Sequence, residues 1–453
     1  MKRPMTLRIP ALAIVSSLLV CGCISPYARP DLVLPDRFAH AAAQEQVVEA
    51  VDPWWRAVGD PGLDAVIAQS LAANRDLAAA GLRVRRARLL AGLTALDQWP
   101  TASASLSGVQ TRSASSFSAN LSVAYDLDLW RRLASATSAA RWEALATDED
   151  RQATRLVLTG TVARLYWDMG FTRQQIAIGQ ATLKDQQKIH QIVTAQHSLG
   201  AISGVELAEA QQALSLQTTA LSVLAQHLVE DEAALAILWG NQGSSLGIGP
   251  ADLTGQTLPD VRAGAPVELL SRRPDLKAAE MRLRATLATG DATRASLYPD
   301  LVLTAAGGAV SPALGKLLDH PVGSLTGLVS FPFLDLPRHR LNNKVARADY
   351  EIAVIGFKTA LFQALSDTDN ALSNRTELIA QEASLTETLK AARIAERLYG
   401  IRYRTGLAPL RLWLEAQQNA RSAQLALDGN RLAQLNNYAA LSLALGGGTG
   451  IRP

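Results

Sequence analysis

Two periods govern the hydrophobic positions of this chain, and each is used twice. From Phe117 to Leu127 the residues alternate, with Phe117, Ala119, Leu121, Val123, Tyr125 and Leu127 set between Ser118, Asn120, Ser122, Ala124 and Asp126. Ala102, Ala104 and Leu106 alternate in the same way with Thr101, Ser103, Ser105 and Ser107. Two short runs of period two around the small polar turn Gln110–Ser116 predict a β-hairpin over 101–127. Leu301, Leu303 and Ala305 open a matching strand, and Leu325, Val329, Phe331 and Phe333 close its partner, giving a second hairpin over 300–333. Each strand is about 10 residues long, enough to cross a bilayer when tilted.

After each hairpin the period becomes helical and stays so for a long way. Ala139-x-x-Trp142-x-x-Leu145 is typical of the pattern, which predicts long helices over 131–197 and 338–404 without an internal proline. Each would be about 100 Å long, and a helix of that length has to pack along neighbours. Gly200 and Gly204 break the first, and Ser203-x-x-Glu206 is a capping box that starts a return helix over 204–239. Gly406 breaks the second, and Pro409 suits the first turn of a return helix over 409–445. Leading helices, one from Gly62 to Gln98 and one from Leu269 onward, end at the helix–strand joints Pro100 and Pro299. The residue before a proline is pushed out of the α region, so the helix stops there. A leading and a return helix together span roughly 110 Å, close to one long helix. Each half is therefore expected to supply one continuous rod and one rod in two pieces.

The pattern is a duplication. Asp76 matches Asp275 and Pro100 matches Pro299 at one offset (275 − 76 = 299 − 100 = 199). Gly200 matches Gly406, and Gln211-Gln212 match Gln417-Gln418, at another (406 − 200 = 417 − 211 = 206). One module is thus expected at 62–240 and again at 266–446, with a Gly- and Pro-rich linker at 241–265 and a tail at 447–453.

The first 22 residues have a basic start (Lys2, Arg3) and an apolar run, Ile9–Cys21, too short to span a bilayer. They read as a secretory signal. Val20-x-Gly22-Cys23 resembles the bacterial lipobox, which makes Cys23 the expected site of a covalent N-acyl diglyceride; an ordinary signal with an incidental cysteine is the alternative. Ile24, rather than an aspartate, follows Cys23, which points to the outer membrane. Residues 23–61 are then a lipidated tether punctuated by Pro26, Pro30 and Pro35. Losing Lys2, Arg3 and Arg8 brings 44 basic residues to 41, equal to the 41 acidic ones, so charge gives no reason to invoke nucleic acid. Four strands cannot close a barrel, and open sheet edges are not tolerated in lipid, so three chains with twelve strands are expected.

Catalytic and metal chemistry is not indicated. His190 and His197 are seven apart on one helix, two turns rather than the one turn of a chelating pair. No P-loop, dinucleotide glycine pattern or nucleophile elbow occurs, so neither an enzyme nor a cofactor is expected beyond the acyl group.

Four stretches carry a family resemblance: Leu269–Ala285 (LLSRRPDLKAAEMRLRA), Tyr125–Trp130 (YDLDLW), Arg402–Gly406 (RYRTG) and Ala444–Gly448 (ALGGG). In this order, and with the duplication, the chain resembles the TolC-like outer membrane factors, in the lipoprotein (NodT/OprM-like) branch that serves resistance–nodulation–division efflux pumps. The resemblance implies a mainly α protein with a membrane β-barrel: a homotrimer with a 12-strand β-barrel and a 12-helix periplasmic α-barrel. It implies a passive outer membrane duct for small molecules, with a periplasmic adaptor protein and an inner-membrane pump as partners. It also implies a constriction at the periplasmic tip, to which Glu206, Glu209, Tyr403 and Glu415 correspond. Leu412 stands where some members carry an aspartate, which makes this constriction less acidic. Two other readings stay open at this point: a duct for type I protein secretion, and a lipid-anchored coiled-coil tether without a pore, which would have no use for the hairpins.

Overall fold

The computed structural model describes residues 25–32, 34–40, 53–240, 253, 258–259, 265–319 and 321–447. Cys23, the signal segment and most of the linker lie outside them. Helices α1 (Pro61–Ala73) and α2 (Arg75–Leu96) lead into strands β1 (Thr101–Gln110) and β2 (Ser115–Leu127), the long helix α3 (Arg132–Ser198) and the return helix α4 (Gly204–Leu238). The order then repeats with α5 (Leu269–Arg272), α6 (Pro274–Ala295), β3 (Asp300–Ser311), β4 (Val322–Ser330), α7 (Leu336–Arg404) and α8 (Leu410–Ala444). Two compact units result, Met1–Val33 with Ala80–Arg151 and Asp275–Ala360, and Leu34–Ala79 with Gln152–Pro274 and Leu361–Pro453.

The first unit holds one antiparallel sheet of order β1-β2-β3-β4. Its register preserves the alternation through β1 and β2, whereas in β3 and β4 Val302 and Leu328 face each other on the side of Asp126. Leu121 faces Ala104 and Gly307, Tyr125 faces Leu303, and Leu303 faces Gly327, all on one face. The other face carries Ser103 against Ser122 and Ser107 against Ser118, with hydroxyls 2.8 and 2.7 Å apart. Every residue of β1 and β4, the two edge strands, is exposed.

The second unit is held by a large apolar core. Trp54, Leu63, Ile67, Val162, Trp167, Met169, Leu235 and Leu435 are buried in it. Two of its polar side chains are paired: Trp54 Nε1 donates to Thr159 (3.3 Å), and the Tyr438 hydroxyl donates to the Trp54 carbonyl (2.8 Å). Burial pushes the Tyr438 phenol up to about 12. Asn430 and Asn437, seven apart on α8, donate to the carbonyls of Leu378 (3.1 Å) and Ala371 (3.0 Å), seven apart on α7. Buried polar groups at a heptad spacing fix helix register.

Several expectations need correction. The first leading helix is two helices, because Asn74 is extended and caps the second through Oδ1 to Leu77 N (2.9 Å). The second is broken at Arg273, which also stands at offset 199 (273 − 74) and precedes Pro274. Strand β4 ends at Ser330, leaving Phe331 and Phe333 outside it, because Pro332 offers no donor to a ladder. Helix α7 begins two residues earlier than expected, at Leu336, since Pro337 is accommodated in a first turn. Arg131 is excluded from α3 by its left-handed φ of 61°. Pro409 is the residue before α8, its carbonyl accepting from Leu412 N (3.3 Å).

The breaks have a structural use. Leu238 O, at the end of α4, accepts from Asn74 Nδ2 (3.2 Å), and Arg75 donates to Gly240 O (3.2 Å). In the second repeat Arg273 donates to Ala444 O (3.2 Å). Return-helix carbonyls that lack intrahelical partners are thus satisfied by the break in the leading helix. Gly240 (φ 67°) and Gly446 (φ 88°) close the joints, and a Cβ there would lie 2.9 Å from Ala73 O and 2.8 Å from Arg272 C. The motif around Arg272-Arg273 and the terminal glycines are therefore two sides of one contact. Gly446→Ala combines a left-handed φ with a backbone collision and is expected to destabilise the protein by about 2 kcal/mol or more. Thermal unfolding in detergent checks this, with Gly429→Ala, in open space on the preceding helix α8, as the control.

Candidate functional site

Three places carry the residues singled out by the sequence: the helix–strand joints, the two turns that end the long helices, and the grooves beside those turns. At the joint in the first unit, Trp130 Nε1 donates to the Pro299 carbonyl (2.9 Å) and its ring stacks on Tyr298 at 4.8 Å. Arg132 bridges Asp126 (2.6 Å) and Asp300 (3.3 Å). Asp128 caps α3, accepting from Leu133 N (3.0 Å) and Ala134 N (2.7 Å). The YDLDLW motif is thus the hinge-pin of the joint. At Pro100 the helix ends in single-turn bonds, Gln98 N to Ala95 O and Trp99 N to Leu96 O.

Both long helices end in the same glycine cap. Gly200 (φ 71°) and Gly406 (φ 75°) donate to His197 O and Tyr403 O, and the residues after them, Ala201 and Leu407, donate to Gln196 O and Arg402 O. This pair of bonds defines the Schellman motif, which needs a left-handed residue and so favours glycine. Gly204 begins α4, and Ser203 caps it through Oγ to Val205 N (3.2 Å). The Ser203 hydroxyl also donates to the Glu206 carboxylate, a side-chain bond between the two residues of the expected capping box. That hydroxyl, followed by the backbone N–H groups of Glu206 and Ser203, holds the Glu206 carboxyl below the usual range.

The turns are locked mainly by apolar contact. Ile189 and Val193 from α3, Ala210 from α4 and Leu410 from α8 are buried together, with Ile202, Leu207, Tyr403, Trp413 and Leu414 packed around them. Tyr403 stacks on Trp413 at 5.3 Å and 27°. Gly400 admits this stack, since a Cβ there would lie 2.9 Å from Trp413 Nε1. Burial raises the Tyr403 phenol, with the charge of Glu206 adding to the effect. Among the described residues no side chain hydrogen-bonds its hydroxyl.

The residues expected at the constriction therefore fall into two grooves. Glu206, Tyr403, Gly406 and Pro409 line one of about 640 Å³. Glu209 and Glu415 line the other, of about 870 Å³, beside Gln186, Gln212, Arg411 and Arg421. Glu415 is paired with Arg411 at 2.5 Å, and Gln186 donates to Gln417 (3.2 Å). Sequence reasoning missed the apolar cluster and Trp413. The available signal was a tryptophan ten residues past Tyr403 in a chain with few aromatics. No group of three His, Cys, Asp or Glu residues is placed to hold a metal, and no helix is long and apolar enough to cross a membrane, among the described residues.

Comparison with known proteins places this geometry. A family profile described as outer membrane efflux protein matches residues 66–241 and 265–447. The pyoverdine export outer membrane protein OpmQ of Pseudomonas putida is 30% identical over 449 residues, covering 95% of each chain. The probable efflux pump outer membrane protein TtgC of Pseudomonas putida is 30% identical over 468 residues, covering 98% of this chain and 96% of that one. Among solved structures, the open-state MtrE outer membrane channel of Neisseria gonorrhoeae matches with a TM-score of 0.85 at 26% identity, over 94% of this chain and 98% of that one.

The tip makes two predictions. Trp413→Ala removes a ring from the apolar cluster and is expected to cost about 2 kcal/mol locally, whereas Tyr403→Phe changes local stability by less than about 0.5 kcal/mol. Amide hydrogen exchange over residues 189–210 separates the two. Glu206 has a depressed folded-state pKa, so its contribution to the cap is complete above the ordinary 4.5 and is lost as pH falls through the lower value. The first turn of α4 is expected to fray only in acid below that ordinary value, and Glu206→Gln to exchange with no such step.

Proposed function

The chain belongs to the outer membrane efflux protein family, and on that premise we propose that three copies of it assemble into a passive export duct for small molecules. It is an outer membrane channel subunit of TolC-like fold that extends into the periplasm. In the proposed trimer each copy gives four strands to a twelve-stranded barrel and its helices to a twelve-helix periplasmic tube. The observation that carries this reading is the sheet: its register is regular across four strands, while β1 and β4 are exposed at every residue. Unpaired edge strands are tolerated in a membrane only when other strands pair with them. A tether without a pore leaves that sheet unexplained.

The duct performs no reaction. An inner-membrane pump supplies the energy, and a periplasmic adaptor joins pump and duct. The alternating faces give lipid an apolar wall and the lumen a hydroxyl-rich one. The two turns at Gly200 and Gly406 form the gate, closed by the apolar cluster and tuned by Glu206, Glu209, Tyr403 and Glu415. Opening exchanges one packed arrangement of the turns for another, and the adaptor favours the open one by binding it better. Acylation of Cys23 holds the assembly in the membrane as a second anchor besides the barrel.

Purified protein in planar bilayers is expected to give discrete conductance steps, larger in Trp413→Ala than in wild type and little changed in Tyr403→Phe. Protein that inserts but gives no steps contradicts the duct, and steps equal in all three contradict the placement of the gate.

A further inference from the structure

The segment after Cys23 has no hydrophobic period, yet its first described residues lie bonded along α6 in the first unit. Ser25 N donates to Asp291 Oδ2 (3.1 Å), and Arg294 donates to Ser25 Oγ (2.7 Å) while pairing with Asp291. The Tyr27 hydroxyl then donates to Glu280 Oε1 (3.1 Å), and Arg29 Nη2 donates to Glu280 Oε2 (2.7 Å). Arg284 donates to Glu280 Oε1 (2.9 Å), with its guanidinium over the rings of Tyr27 (4.3 Å) and Trp142 (4.9 Å). Both acids are enclosed, Glu280 being 7% and Asp291 4% exposed. A buried carboxylate is costly unless hydrogen-bond donors surround it, and three of the five donors to these two acids come from the N-terminal segment. Burial acts to raise the Glu280 carboxyl, but the donors from Arg29 and Arg284 outweigh it and hold the group below its usual range.

The duplication shows what these acids are for. At offset 199 the first repeat keeps Arg282 and Arg284, as Arg83 and Arg85, but has Ala95 in place of Arg294. It does not keep the acids. Glu280 corresponds to Gly81 and Asp291 to Gly92 (280 − 199 and 291 − 199), and a Cβ at either glycine would meet nothing within 4 Å. Space for a side chain is therefore present on α2, and what is missing is the strap. Glycine in a helix interior costs about 1 kcal/mol relative to alanine, so these glycines do nothing for α2 itself.

We infer that Glu280 and Asp291 are positioning residues, a clasp that docks the strap Ser25–Arg29 on α6, present in one repeat only because each chain has one N-terminal segment to hold. Together with the acylation of Cys23 proposed above, on which this part rests, the clasp also sets where the anchor leaves the protein. Ser25, the second residue after Cys23 in the sequence, is bonded at the last turns of α6 ahead of the Pro299 joint.

Chymotrypsin cleavage after Tyr27 in the intact, detergent-solubilised protein tests the clasp. Cleavage follows local opening, and losing a charge-assisted hydrogen bond to a buried acid is expected to speed it about tenfold or more. Glu280→Gly, which installs the first repeat's residue, and Arg29→Ala, which leaves α6 untouched, should each do so, and the double variant should add little to either. Rates within twofold of wild type in Arg29→Ala, or effects that multiply in the double variant, overturn the clasp. The mass of the released Cys23–Tyr27 peptide decides the other premise separately. A lipid-modified mass supports where the anchor leaves, whereas an unmodified mass contradicts acylation and removes that part of the inference, with the docking itself judged by the rates.

Discussion

A backbone N–H or C=O left unpaired in hydrocarbon costs several kcal/mol, and that penalty governs this molecule more than any side chain does. Its sheet has four strands in a regular antiparallel register and two edges that the described chain does not pair. The serine pairs on one face and the leucine, valine and tyrosine stripe on the other are both meaningful only if each face has its own medium. The duplication follows from the same demand, since one hairpin is too little to contribute to a closed wall and copying the module doubles the contribution without a new fold.

The helices face a related problem at their ends. Long helices release carbonyls at the tip and return helices release them at the far end, and the chain answers both with left-handed glycines: Gly200 and Gly406 in the turns, Gly240 and Gly446 at the joints. At the joints the answer is reinforced by Asn74 and Arg273, which donate into the last carbonyls of α4 and α8, and by Arg75, which donates to the Gly240 carbonyl just beyond α4. This gives the breaks in the leading helices a purpose, because a continuous helix would offer neither a free side chain nor a close backbone at that point. Glu280 and Asp291 on α6, which stand where the first repeat has Gly81 and Gly92, then break the symmetry between the two halves.

Most of the fold was legible because it follows from period. The alternation of Phe117–Leu127 survives unchanged in the register with β1 and β3, and Ser203 caps α4 at the position its spacing to Glu206 indicates. Boundaries were less legible where proline or a side-chain cap decides them, as at Asn74, Arg131 and Pro332. Pro274 at the shared offset of 199 was a usable sign of the break at Arg273, and so of the one at Asn74. The tip was half visible. Its glycines and acids stand out in sequence, but the cluster of Ile189, Val193, Leu410 and Trp413 forms among helices far apart in the chain. The strap was not visible at all, since Ser25, Tyr27 and Arg29 find their partners more than 250 residues away.

The account stands on the claim that the sheet is completed by other copies of the same chain. The mass of the detergent-solubilised protein, measured by native mass spectrometry, tests it most directly. Three copies in one particle is the predicted result. A stable particle holding a single copy would contradict it, because the edges of β1 and β4 would then persist unpaired in a membrane-extracted protein.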